Sequence, residues 1–306
     1  MPTAYCLTLS AKLACVDNPP IQLPLSGPER PSPARPDPDN PPWGFWGALA
    51  LLFSSFALML ALQVVFLVPY VLYRGVTLDG LPELAIKDAG AIFLQIVAVP
   101  PAHLLTLGLA WLLVTRGGKY PFLRTLGWEW GRGLTLWRCV GLGVLLLAVG
   151  FVILWLAGEC DNEMERILRS SRGAALAAAF AATFTAPLVE EVVYRGLLYP
   201  ALRRLVGVGW AVAVVFLIFA LIHVPQYYPC YGVIGMILVL SFCLTAIRAR
   251  TGNLLPCVLI HFVFNAVQAV FIVLAPYLER FLPQEPPPPA PGLLAELFLR
   301  LFGAAW

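Results

Sequence analysis

The chain has 306 residues, 60% of them apolar and 12% charged, with a net charge of +3 and a mean hydropathy of +0.82. A water-soluble domain carries about 25% charged residues, so this composition excludes a soluble globule and requires lipid against the surplus apolar surface. The basic residues lie between apolar runs, not in a patch interleaved with aromatics, which excludes a nucleic-acid surface.

Residues 1–15 lack the charged start and apolar core of a secretory signal. Residues 19–42 carry ten prolines among Arg, Asp and Ser. Such a stretch cannot bury a core, so residues 1–42 are expected to form a disordered, extended tail. From there the chain turns apolar. A bilayer crossing needs about 20 apolar residues, and seven runs qualify. They cover Trp43 to Tyr73, Ala89 to Thr115, Cys139 to Ala157, Ala174 to about Leu205, Trp210 to His223, Tyr231 to Ala249 and Leu254 to Pro276. Pro100-Pro101 predicts a kink in the second run. After a proline-rich break at 283–291, Gly292 to Trp306 is too short to span and reads as an interfacial helix. The expected fold is all-α, a polytopic transmembrane bundle of about seven to eight spans over 43–280, with its motif core at 174–270.

Lys and Arg set the orientation. Arg116, Lys119 and Arg124, then Arg203 and Arg204, then Arg248 and Arg250 lie in loops on one side. The opposite loops mix their basic residues with acids such as Glu163 and Glu165. This predicts a cytoplasmic N-terminus and an integral membrane location, in a bacterial inner (plasma) membrane. None of the seven cysteines forms a CxxC pair, which argues against a zinc ribbon or a redox motif. Cys160 and Cys230 fall in two loops on the outer side. A disulfide between them is the minor reading.

Ionisable groups inside apolar spans are costly and mark function. The fourth span holds Glu190, Glu191 and Arg195, the fifth ends on Phe219-x-x-x-His223, and the seventh contains His261-x-x-x-Asn265. Glu191 and Arg195, four apart, share a helix face and can pair. Glu190 points about 100° away and is left to face a cavity. Glu190 and His223 lie about 16 residues on either side of an expected turn at Val206-Gly207, which sets them at similar depth in an antiparallel hairpin. His261 and Asn265, also four apart, aim at one point. A carboxylate and a histidine can deprotonate water, and a histidine with an amide can receive a developing oxyanion. No Ser or Cys in these spans is partnered with a base, so a covalent acyl-enzyme is not the natural reading. His103, behind the Pro100-Pro101 break, has no matched partner and reads as structural.

The run Glu190-Glu191-x-x-x-Arg195-Gly, then Phe219-x-x-x-His223, then His261-x-x-x-Asn265, resembles the three motifs of the CPBP family. That family comprises intramembrane glutamic endopeptidases and includes the CAAX prenyl proteases. The resemblance implies Glu190 as the base that activates water, His223 as a second holder of that water, and His261 with Asn265 as the oxyanion site. Glu191, Arg195 and Phe219 would support them. It implies a peptide or membrane-protein substrate, with no cofactor and no metal. The residues alone leave alternatives open. Glu190, His223 and His261 have zinc-ligand chemistry, although HExxH is missing. A non-catalytic immunity or scaffold role is a second alternative. A proton-relay transporter ranks last, since no repeated halves are visible.

Overall fold

The structure is a computed structural model that describes residues 40–278 apart from 132 and 159. The tail expected over 1–42 therefore lies almost wholly outside the described residues, as does the expected interfacial helix. Every regular element among the described residues is helical.

In chain order, α1 covers Phe45–Arg74, and a short turn leads to α2, Leu81–Lys87. The kink expected at Pro100-Pro101 is present. The second apolar run divides into α3, Ala89–Val97, and α4, Val99–Thr115, with the prolines in the first turn of α4. There their missing N–H groups cost nothing. The four-residue α5, Phe122–Thr125, precedes α6, Leu136–Ala157. A short charged helix, α7, spans Glu163–Ser170. Asn162 caps it, accepting from the Glu165 N–H at 3.0 Å. Ser171 then caps α8, Arg172–Phe180.

From α8 the helix continues as a π-helical turn at Ala181–Thr185, α9 at Ala186–Glu190, and a second π-helical stretch at Glu191–Leu198. α10 follows at Tyr199–Tyr227, α11 at Tyr231–Thr251 and α12 at Leu255–Leu278.

Among the described residues, six helical stretches are long and apolar enough to cross a membrane. One of them, Arg172–Tyr227, is 56 residues long. Straight, it would measure about 84 Å at 1.5 Å per residue, far more than a hydrocarbon core of about 30 Å. It is not straight. Gly207 has φ 79° and ψ 173°, a backbone state that essentially only glycine adopts. The chain folds back there, and the Tyr194 and Phe219 rings from the two limbs meet at 5.2 Å between centroids. The hairpin expected at Val206-Gly207 is thus formed. Its two limbs account for the difference between six stretches and seven expected runs.

Two apolar clusters hold the bundle. One joins α1, α4 and the α10 hairpin around Leu197, Tyr199 and Val215. The other joins α6, α11 and α12 around Cys139, Leu244 and Ile260. Small residues let α6 approach its neighbours closely, as membrane helices do in place of a hydrophobic drive. A Cβ on Gly143 would sit 3.1 Å from the Ile260 carbonyl, and one on Gly150 would sit 2.6 Å from Met236 Sδ. Outside the bundle, Cys160 and Cys230 are joined in a disulfide, with Cα atoms 5.6 Å apart. The minor reading of the cysteines is the one the structure adopts.

Candidate active site

The site is built on the strand-free segment 181–198, where two π-helical stretches flank Glu190. π-turns concentrate at functional sites because they re-aim side chains that a regular helix would leave in register. The two adjacent glutamates have different surroundings. Glu191 is completely buried, whereas the Glu190 side chain keeps 23% of its exposure.

Glu191 pairs with Arg195, Nη1 to Oε1, at 3.0 Å. Arg195 is fully buried, and each of its three guanidinium nitrogens has a partner. Its Nε donates to the Thr245 hydroxyl at 3.2 Å, and its Nη2 donates to the Ser241 hydroxyl at 2.7 Å and the Ser241 carbonyl at 3.1 Å. The guanidinium also lies 4.4 Å from the Phe219 ring centroid. These contacts explain how a buried arginine is tolerated. They also set the Phe219 ring against the buried guanidinium.

The sequence reading gave Glu191 mainly to Arg195, and the structure adds a second partner. His261 Nδ1 lies 2.9 Å from the same Glu191 Oε1. A carboxylate facing a guanidinium is ionised and only accepts, so Nδ1 carries the proton. This fixes the ring and turns Nε2 toward Glu190, whose Oε2 is 3.8 Å away. Arg195, Glu191 and His261 therefore form a relay of orientation in which a buried carboxylate sets a histidine's tautomer.

The other expected site residues are placed as follows. His223 Nδ1 is 2.6 Å from the Phe219 carbonyl, and its ring lies 4.7 Å from the Phe219 ring. Phe219 in turn lies 6.0 Å from the His261 ring, so one aromatic separates the two histidines. No hydrogen bond or ion pair joins His223 to Glu190 among the described residues. Asn265 donates from Nδ2 to the Ala182 carbonyl at 2.8 Å. His261 and Asn265 are thus each engaged with the Glu190 helix, one at Glu191 and the other at the first π-turn.

His103, read as structural, is buried at this site. Its Nδ1 lies 2.8 Å from the Thr185 hydroxyl, five residues before Glu190. Thr185 spends its own proton on the Ala181 carbonyl at 3.2 Å, so His103 Nδ1 is the donor. The position after a proline break was the only hint of this in the sequence. Among the described residues, no group of three or more His, Cys, Asp or Glu side chains is arranged to hold a metal ion.

Residues 172–267 match the family model described as type II CAAX prenyl endopeptidase Rce1-like. The matched segment runs from the start of α8 into α12 and contains every residue of the three motifs. It agrees with the resemblance those motifs carry. No curated protein and no solved structure matches the chain.

Proposed function

We propose that this chain, whose residues 172–267 match the Rce1-like family model, is an intramembrane glutamic endopeptidase whose base is Glu190. The observation that carries this reading is the division of labour between the two glutamates. Glu191 is spent on Arg195 and His261, and Glu190 is left partly exposed 3.8 Å from His261 Nε2.

Glu190 takes a proton from water, and the resulting hydroxide attacks the peptide carbonyl carbon. The carbonyl π electrons move to oxygen as an oxyanion. Because His261 Nδ1 donates to Glu191, Nε2 can donate to that oxyanion only when the ring carries both protons. Asn265 keeps a second amide proton beyond the one given to Ala182 and is assigned as the other oxyanion donor. The protonated Glu190 then returns its proton to the departing nitrogen, the oxyanion electrons re-form the C=O bond as the C–N bond breaks, and the carboxylic acid and amine leave, a proton passing between them to give carboxylate and ammonium. His223 is assigned to hold the water from the Phe219 side. Lipid and the buried Phe219 ring exclude bulk water, which strengthens each of these interactions.

The substrate is a peptide or a membrane-associated polypeptide. The test compares peptides released by cells carrying the wild type or Glu190→Gln. A product that disappears with Glu190→Gln supports the reading. Identical peptides in both would support the non-catalytic scaffold alternative.

A further inference from the structure

The two ends of the site are not alike. Toward Gly207 the Glu190 helix is closed. Every residue from Glu191 to Leu202 is buried. Trp43 donates its indole N–H to the Leu197 carbonyl at 3.1 Å. Leu126 and Leu254 close on Gly196 so tightly that an added Cβ would lie 3.2 and 3.3 Å from them. Water and an extended peptide have no way to Glu190 from that end.

The other end is open. His223 stands four residues, about one helical turn, before α10 stops at Tyr227. Immediately beyond lies a cavity of about 690 Å³, lined by Asp161, Glu163 and Arg166 of the α7 region and by Pro225 and Tyr228. Its two walls are tied by the Cys160–Cys230 disulfide, and Asn162 adds a contact to Cys230 Sγ at 3.4 Å. The charged lining admits water.

Which compartment this end faces follows from two independent signals. Disulfides persist in oxidising compartments and are rare in the cytosol. The loops at the closed end hold Arg116, Lys119, Arg124, Arg203 and Arg204, the pattern of a cytoplasmic face. We therefore infer that water and substrate reach Glu190 from the disulfide-bearing, extracytoplasmic face, and that the substrate is a polypeptide segment exposed on that side, not a prenylated cytoplasmic C-terminus. The substrate half of this inference rests on the proposed peptidase reading. The access half does not.

The test uses the full chain in sealed vesicles of known orientation, with Cys6, Cys15, Cys139, Cys243 and Cys257 replaced by Ala. Single cysteines are placed by His223→Cys, Tyr227→Cys, Tyr228→Cys and Leu205→Cys, and probed with a charged, membrane-impermeant thiol reagent. Tyr228 and Leu205 are exposed and report the two faces. The expected result is that His223→Cys and Tyr227→Cys react from the face that labels Tyr228→Cys, which is the outer one, and not from the face that labels Leu205→Cys. Labelling from the Leu205 face, or from neither face with Tyr228→Cys still reactive, overturns the inference. Because the readout is labelling and not cleavage, such a result would leave the role of Glu190 standing, and failure of the Glu190 test would leave the access result standing.

Discussion

At the scale of single residues, the chemistry turns on one carboxylate being held and its neighbour being free. Glu191→Ala would strand the Arg195 guanidinium in the bundle with no carboxylate to balance it, held by Thr245, Ser241 and the Phe219 ring. Removing one partner of a buried pair costs about 3–5 kcal/mol, and a lowered midpoint of thermal unfolding in detergent checks this. Glu191→Gln keeps the shape and exchanges a charge for an amide, so the protein should still fold. The amide no longer enforces the His261 tautomer, and turnover should fall at least about tenfold with KM little changed. A Glu191→Gln enzyme with unchanged kcat would remove the orienting role given to that carboxylate. The sequence made this pair legible through its four-residue spacing. It could not show that His261 closes on Glu191, because that contact joins helices 70 residues apart in the chain. His103 was hidden for the same reason, since its partner Thr185 lies on a helix 82 residues away.

At the scale of elements, two breaks in helical regularity position the site. The turn at Gly207 rests on a backbone state closed to other residues. Gly207→Ala should cost about 1–3 kcal/mol, read as a lower unfolding midpoint with loss of activity as the two limbs lose register. The turn was legible from a glycine between two apolar runs. The π-helical stretches around Glu190 were not, because a π-turn depends on what packs against the helix and leaves no composition signal. Asp88 starts α3 by accepting from the N–H groups of Gly90 and Ala91 at 2.9 and 3.0 Å. The Ala91 N–H, with the Tyr70 hydroxyl and the Arg74 guanidinium, holds its carboxyl below the ordinary range against the opposing effect of burial. A carboxyl with a depressed folded value stabilises above its unfolded value of about 3.9 and loses that contribution as pH falls through and below it. Hydrogen exchange at the start of α3 should therefore rise below about pH 4, and Asp88→Asn should flatten that rise. A rise that persists unchanged in Asp88→Asn would assign it to another group.

For the whole molecule, composition alone announced a membrane bundle, and the length of each apolar run gave most span positions to within a few residues. The disulfide was legible only as a minor reading. Cysteine counts do not fix connectivity, and the two loops meet only because α7 folds over the end of α10. Cys160→Ser removes a link across 70 residues, for which loop closure sets an upper value of about 4 kcal/mol. The unfolding midpoint should fall accordingly, and α7 should gain protease sensitivity in intact protein. An unchanged midpoint would mean that packing alone holds α7.

The central claim is that Glu190 activates water without a metal. It is tested most directly with purified protein in lipid and a peptide identified as a Glu190-dependent product. The account predicts cleavage that survives exhaustive chelation and that falls about 10²- to 10⁴-fold in Glu190→Gln, with the unfolding midpoint preserved. Cleavage retained by Glu190→Gln, or lost on chelation and restored by zinc, would contradict it.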